Sequence, residues 1–290
     1  MLKRLWRFYE EDYKKLLVIP VAVLLFFGGI IIHTKITTGS YFLRDISLKG
    51  GTSITYYTNR PIENVSNWLK DNWGSDTELV VISNPLSGFR GYEFRVGKEL
   101  SVDEVKSALS KLAGKNVTNK DFSMGRQGAS IAANFFKDAL IILAISFAMM
   151  GLVVLYNFKS IIPAVSITLS TIADIVVVIG MLDLLGQQLS VAGIGALLML
   201  IGLSTDSDIL LATNIIKKKN IKGLKKNFKT ELTMNLAAIT TSAVMLTLSN
   251  IDVIKSIALI LMIGSISDVL NTWVLSAGLQ RLYVEWRDRK

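Results

Sequence analysis

Six apolar runs punctuate the chain, near Leu16–His33, Ala133–Tyr156, Ile161–Leu182, Leu189–Ile216, Leu232–Ser249 and Val253–Ala277. A helix needs about 20 apolar residues to cross the hydrocarbon of a bilayer, so each run predicts one membrane-spanning helix. Pro20 falls in the first turn of the first run, where a missing N–H costs little.

Between the first and second runs lies a polar stretch, 34–128, with no span. Its periodicity switches between two and 3.6. Thr52–Tyr57 predicts a strand, with Ile54 and Tyr56 on one face. Pro61 opens a helix that puts Ile62, Val65, Trp68 and Leu69 on one side. Glu78–Ser83 predicts a second strand and Asn84-Pro85-Leu86-Ser87-Gly88 a turn. Tyr92, Phe94 and Val96 alternate as a third strand. Ser101 with Glu104 forms a capping box, heading a helix with Val102, Val105, Leu109 and Leu112 on its apolar face. Val117–Met124 predicts a fourth strand. The order β-α-β-β-α-β is that of a ferredoxin-like unit.

The predicted fold is an α-helical polytopic membrane protein: six transmembrane helices, with a ferredoxin-like α+β domain between helices 1 and 2. The expected organisation is 1–33 as lead and first span, 34–128 as the α+β domain, 129–281 as a five-helix bundle and 282–290 as a tail.

Charge gives the orientation. Lys3, Arg4, Arg7, Lys14 and Lys15 precede the first run, and Lys159 lies between the second and third. Seven lysines from Lys217 to Lys229 separate the fourth from the fifth, and Arg281, Arg287, Arg289 and Lys290 close the chain. The connections Asp183–Gln188 and Asn250–Asp252 carry no lysine or arginine. Positive residues stay in the cytoplasm, so both termini are expected there and 34–128 outside the cell membrane. The same rule accounts for the net charge of +9 without a nucleic-acid partner.

Composition narrows the chemistry. The 290 residues are 51% hydrophobic, too apolar for an ordinary soluble domain. With no cysteine, there is no disulfide, thiolate metal site or cysteine nucleophile. The single histidine, His33, ends the first run and cannot build a His-rich metal site. No G-x-S-x-G, H-E-x-x-H or P-loop occurs, so neither enzymatic activity nor a cofactor is expected. The first run lacks a small-residue cleavage motif and is expected to stay as a span.

The fourth run carries two acids, Asp206 and Asp208. A charge at mid-bilayer costs about 2.5–3.5 kcal/mol on insertion scales, so each should face protein or trapped water. At about 1.5 Å per residue, Asp206 lies roughly 16 Å from the lysine flank, and Asp174 and Asp268 roughly 20 Å from theirs. Thr240, Thr241 and Ser242 come to about 17 Å in the fifth span, and Ser146 to about 20 Å in the second. A polar cluster inside a five-helix bundle follows, with the first span at the periphery. Two residues on a helix are about 200° apart, so Asp206 and Asp208 cannot share a face. Asp206 goes with Gly202, Leu210 and Thr213, and Asp208 with Ser204, Thr205 and Ala212. One is expected to face the bundle and the other a partner subunit or groove. Carboxyls in low dielectric with no lysine or arginine at their depth exchange protons near neutral pH. Carboxylate and hydroxyl oxygens also suit Na⁺. The sequence thus predicts ion-coupled motion, with Asp206 as the main protonation site and Asp208, Asp174 and Asp268 as further relay candidates.

Two segments carry a family resemblance. Asp45-Ile46-Ser47-Leu48-Lys49-Gly50-Gly51-Thr52 resembles the D-x-x-G-G-T-type signature after the first span of the SecD/SecF protein-export family. Ile201-Gly202-Leu203-Ser204-Thr205-Asp206-Ser207-Asp208 resembles that family's fourth-span motif. The six spans, the domain after span one and the basic loop after span four agree. The size and the single small external domain resemble the SecF branch in an archaeal form. The resemblance implies an accessory subunit of protein export that acts with a SecD-like subunit and the Sec channel on preproteins in the lipid bilayer, drawing on a proton or sodium gradient. The Asp of the SecD motif I-G-x-x-x-D-x-N matches Asp206. Asp208 stands where that motif has Asn, and bacterial SecF carries N-D nearby. The intramembrane arginine of some bacterial SecF chains has no counterpart. Gly50-Gly51 reads as the turn leading into the first strand rather than a hinge. Competing readings are half of a resistance-nodulation-division-type lipid or small-molecule exporter, and a non-transporting translocon scaffold.

Overall fold

The computed structural model describes residues 13–58, 62, 64–74, 77–83, 90–217, 224–249 and 251–288. The expected helix opening at Pro61, the turn at 84–88, the basic lead before Tyr13 and the lysines at 218–222 lie outside them. The chain divides into two compact units, one of residues 44–139 and one of 1–43 with 140–290.

The smaller unit is a four-stranded antiparallel sheet with two helices. A single helical turn, Ile46–Lys49, precedes β1 (Gly51–Thr58), α2 (Val65–Trp73), β2 (Thr77–Ser83), β3 (Arg90–Val96), α3 (Val102–Ala113) and β4 (Phe122–Gln127). The strand order is β2-β3-β1-β4, that of the ferredoxin-like unit. Thr52 pairs with Val96 and Arg126, and Tyr56 with Tyr92 and Phe122, so one face carries the aromatics inward. Ile54, Tyr56, Phe94, Leu69 and Leu109 meet in the core. Both arms of the Ser101–Glu104 capping box are formed.

The fourth strand starts later than the sequence predicts, at Phe122 rather than Val117. The Asp121 carboxylate accepts from both the N–H and the hydroxyl of Thr118 at 2.7 Å. That closes 118–121 into a turn, which side chains of this kind favour over strand pairing. Val117 is still buried in the core.

The Asp45–Thr52 segment is a joint. Asp45 caps the helical turn through the N–H of Ile46. Gly50 (φ +84°) and Gly51 (φ +139°) hold backbone angles that side-chain-bearing residues rarely take. A Cβ on Gly50 would stand 2.6 Å from the Ala129 Cα, and one on Gly51 would collide with the Val96 carbonyl. Thr52 accepts from the N–H of Leu100 and donates to the Lys98 carbonyl. The residues that enter the sheet are thereby pinned beside those that leave it.

Six helices among the described residues are long and apolar enough to cross a membrane. They are α1 (Val18–Thr38), α4 (Ala129–Phe158), α5 (Ile161–Leu184), α6 (Val191–Ala212), α7 (Leu224–Leu248) and α8 (Asp252–Leu270). A π-helical turn, Thr213–Lys217, extends α6, and a second, Asn271–Ser276, joins α8 to α9 (Ala277–Asp288). In the larger unit α8 is central, packing on α5, α6 and α7.

The first span lies at the periphery as expected, little buried, with one side packed along α5 and against the 271–276 turn. Its exit is tied down as well. The Leu43 N–H donates to Asp183 at 3.0 Å, and the Leu43 carbonyl accepts from the N–H of Leu189 at 2.8 Å. α4 is exposed too, with Ile141, Ile145, Met149 and Val153 all about half exposed.

Candidate functional site

A buried polar cluster fills the middle of the larger unit. It draws on α5, α6, α7, α8 and the turn that follows α8. Every span here is apolar on all sides, so the polar positions, not an amphipathic stripe, mark where helices meet.

Asp174 on α5 is the best-satisfied acid. Fully buried, it accepts from Ser204 of α6 at 2.9 Å, Ser267 of α8 at 2.8 Å and Asn271 at 2.8 Å. Asn271 also donates to Ser267 at 3.0 Å. Asp268 on α8 lies beside this group. One of its oxygens accepts from Asn235 of α7 at 3.0 Å, the other from Thr272 at 3.2 Å. The π-helical turn explains this side's density. Wider than an α-turn, it presents Asn271, Thr272 and Ser276, all fully buried.

Asp208 on α6 is also fully buried, yet neither carboxylate oxygen has a hydrogen-bond partner. The Ser276 hydroxyl faces it without closing a regular bond. Glu231 on α7 is in the same condition, 1% exposed with both oxygens unpartnered. Among the described residues none of the four acids forms an ion pair with a lysine or arginine. No three acidic side chains there converge as a metal site would require.

Of the acids named from sequence, the fold brings Asp174, Asp208 and Asp268 together and leaves Asp206 out. Asp206 is exposed on the outer side of α6, with Gly202, Leu203 and Leu210. Nothing lies within 4 Å of where a Cβ on Gly202 would stand. Several expected contributors also stay outside. Ser146 is half-buried and bonds its own Ile142 carbonyl, and Thr240 is exposed and bonds the Leu236 carbonyl. Thr241 is exposed too, while Ser242 is buried. The motif residues Asp45, Gly50, Gly51 and Thr52 belong to the smaller unit and form its joint.

Sequence reasoning missed Glu231, Asn235, Ser267, Asn271, Thr272 and Ser276. A signal was present. Glu231 with Asn235, and Asp268 with Thr272, are four apart, the spacing that puts polar pairs on one helical face. Glu231 escaped notice because it sits next to lysines and reads as loop.

A family profile described as "Protein export membrane protein SecD/SecF, C-terminal" matches residues 105–286. The protein-export membrane protein SecF of Methanocaldococcus jannaschii is 32% identical, over 97% of this chain and 99% of that one. Its counterpart in Pyrococcus furiosus is 30% identical, over 97% and 94%. Among solved structures, SecDF from Thermus thermophilus, described as a translocon-associated membrane protein, superposes with a TM-score of 0.76 at 19% identity. That match covers 96% of this chain and 39% of the solved one. SecDF in a super-membrane-facing form gives a TM-score of 0.58 at 17% identity, over 97% and 39%. This chain therefore spans well under half the length of the two solved chains, and the likeness to them is one of fold.

Proposed function

We propose a function from one premise: this chain belongs to the SecD/SecF family of protein-export membrane proteins, on its SecF side. It is a membrane component of protein export, an accessory to Sec translocation. Its partners are a SecD-like subunit, the Sec channel and the preproteins they move. Its lysine-rich ends and loops lie in the cytoplasm, and residues 34–128 outside. The chain acts as a binding and moving part rather than as an enzyme.

The observation that carries ion coupling is the set of buried carboxyls on three packed helices, with no ion-paired lysine or arginine among the described residues to balance them. A neutral carboxyl is far cheaper in hydrocarbon than a charged one, so gaining or losing a proton changes which helix packing is favoured. Asp208 is the proton-carrying acid this geometry supports best, because nothing holds its oxygens in one state. Asp268, with an amide and a hydroxyl as partners, stands next in line. Asp174 orients the others. Asp206 serves the outer face of α6, where a partner subunit's helix covers it. The open positions at Gly195 and Gly202 suit such close approach.

One observation favours a static reading for part of the cluster. Asp174 has three donors and so acts as a lock between α5, α6 and α8 whether or not ions flow.

The test is gradient-driven preprotein export in membrane vesicles that contain the chain and its co-purifying partners. Asp208→Asn and Asp268→Asn are expected to abolish the gradient's contribution while the complex stays assembled. Full gradient dependence in both variants would overturn the coupling. Purification without a SecD-like subunit would overturn the partnership.

A further inference from the structure

Glu231 is an acid that the coupling reading above does not use. It lies in the lysine-side part of α7, where the sequence reads as loop, yet its side chain is 1% exposed. Burying a carboxyl with both oxygens unpartnered costs several kcal/mol if it is charged, so ordinary surface chemistry does not explain the position.

Its surroundings define two sides. One is apolar. Phe228, one turn earlier on α7, meets Trp273 edge to face at 4.9 Å between ring centroids. Trp273 also packs with Val154, Phe158, Leu211 and Ile215, which seal the lysine-side end of the bundle. The Trp273 indole faces the Glu231 carboxyl. The other side is polar. Asn235, one turn further along α7, donates to Asp268 at 3.0 Å. Asp268 lies near enough for its charge to act on Glu231, and Glu231 in turn acts on Asp208. Glu231 thus stands between the apolar seal and the two acids, and it is the one acid of the cluster on α7.

We propose that Glu231 is the lysine-side terminal proton carrier of the buried acids, passing a proton between the aqueous phase on that side and Asp268 or Asp208. In the inward step the proton leaves the Glu231 carboxyl and joins the carboxylate of Asp268 or Asp208; in the outward step it returns. The Phe228–Trp273 pair closes the path in the state described here, and its separation opens Glu231 to water. This inference rests on the coupling reading and adds a port to it.

The experiment uses the full chain with its native partners in sealed vesicles, comparing Glu231→Gln with Asp208→Asn and Asp268→Asn. Glu231→Gln is expected to slow gradient-driven export by about a hundredfold, the low end of what a positioned proton-transfer group contributes. Export without a gradient should stay unchanged. Loss of coupling in the two aspartate variants with full coupling in Glu231→Gln overturns this proposal and leaves the coupling reading intact. Full coupling in all three overturns both. Trp273→Phe supplies a second measurement that does not depend on how Glu231→Gln folds. It removes the indole N–H that faces the carboxyl and keeps a ring against Phe228. Among the described residues the groups that interact with Glu231 are Asp268 from α8, Asp208 from α6 and this indole, so the pH profile of gradient-driven export should move. A profile superimposable on that of the unaltered chain overturns the proposal.

Discussion

Asp206 and Asp208 are two residues apart on one helix, and only Asp208 is inside. Asp208 is fully buried with both oxygens unpartnered, whereas Asp206 is exposed on the outer side of α6. Two Asn substitutions two positions apart should therefore have different phenotypes. Asp208→Asn is expected to lose gradient-driven export while the complex still purifies whole. Asp206→Asn is expected to keep the buried cluster intact and to weaken retention of the partner subunit. Export assays and co-purification from the same membranes check both. Equal effects of the two changes would contradict the separation.

Asp174 tests how far the cluster is structural. Asp174→Ala leaves the donors on Ser204, Ser267 and Asn271 without their acceptor. At the roughly 0.6 kcal/mol measured for a hydrogen bond between membrane helices, three such bonds amount to about 2 kcal/mol. Thermal unfolding of the purified chain in detergent should show that loss. Asp174→Asn keeps the volume and one acceptor oxygen and should lose less.

The glycine joint predicts a stability defect without a coupling defect. Alanine at Gly50 or Gly51 must take a left-handed backbone and push against Ala129 or Val96. Strain of this kind costs about 1–3 kcal/mol, with the collision added. Reduced accumulation in the membrane is expected, with the gradient dependence of the surviving protein unchanged. Normal accumulation of both variants would show that the segment moves freely.

The smaller unit has its own response to acid. The Ser101 N–H, then its hydroxyl, holds the Glu104 carboxyl below the ordinary carboxylate range. The Thr118 hydroxyl, then its N–H, does the same for Asp121. A depressed folded value means the stabilisation is present above the ordinary range and lost as pH falls through it to the lower folded value. Amide exchange in the full chain should therefore quicken around 101–105 and 118–121 as the pH drops below the carboxylate range. Glu104→Gln keeps a capping box, since an amide oxygen also accepts from the Ser101 N–H. It should remove the acid dependence at the α3 start only.

The sequence by itself determined the elements. Long apolar runs can only be spans, because a backbone in hydrocarbon must satisfy its own hydrogen bonds. Period-two and helical-period stretches and the Ser101–Glu104 box likewise fixed the small α+β unit, save the strand start that Asp121 delays. The two-residue spacing of Asp206 and Asp208 required opposite faces. It did not say which was inside. For a span, lipid and protein interior are equally apolar, so residue hydrophobicity does not reveal the buried face. Only tertiary packing decided that Asp208 meets Asp268 and Glu231, that Asp174 gathers donors from two other segments, and that Ser146 and Thr240 stay outside. The sequence likewise left the first span at the edge. The structure keeps it there, and only the choice of α5 as its neighbour depends on contacts between helices far apart in the chain, which no local pattern encodes.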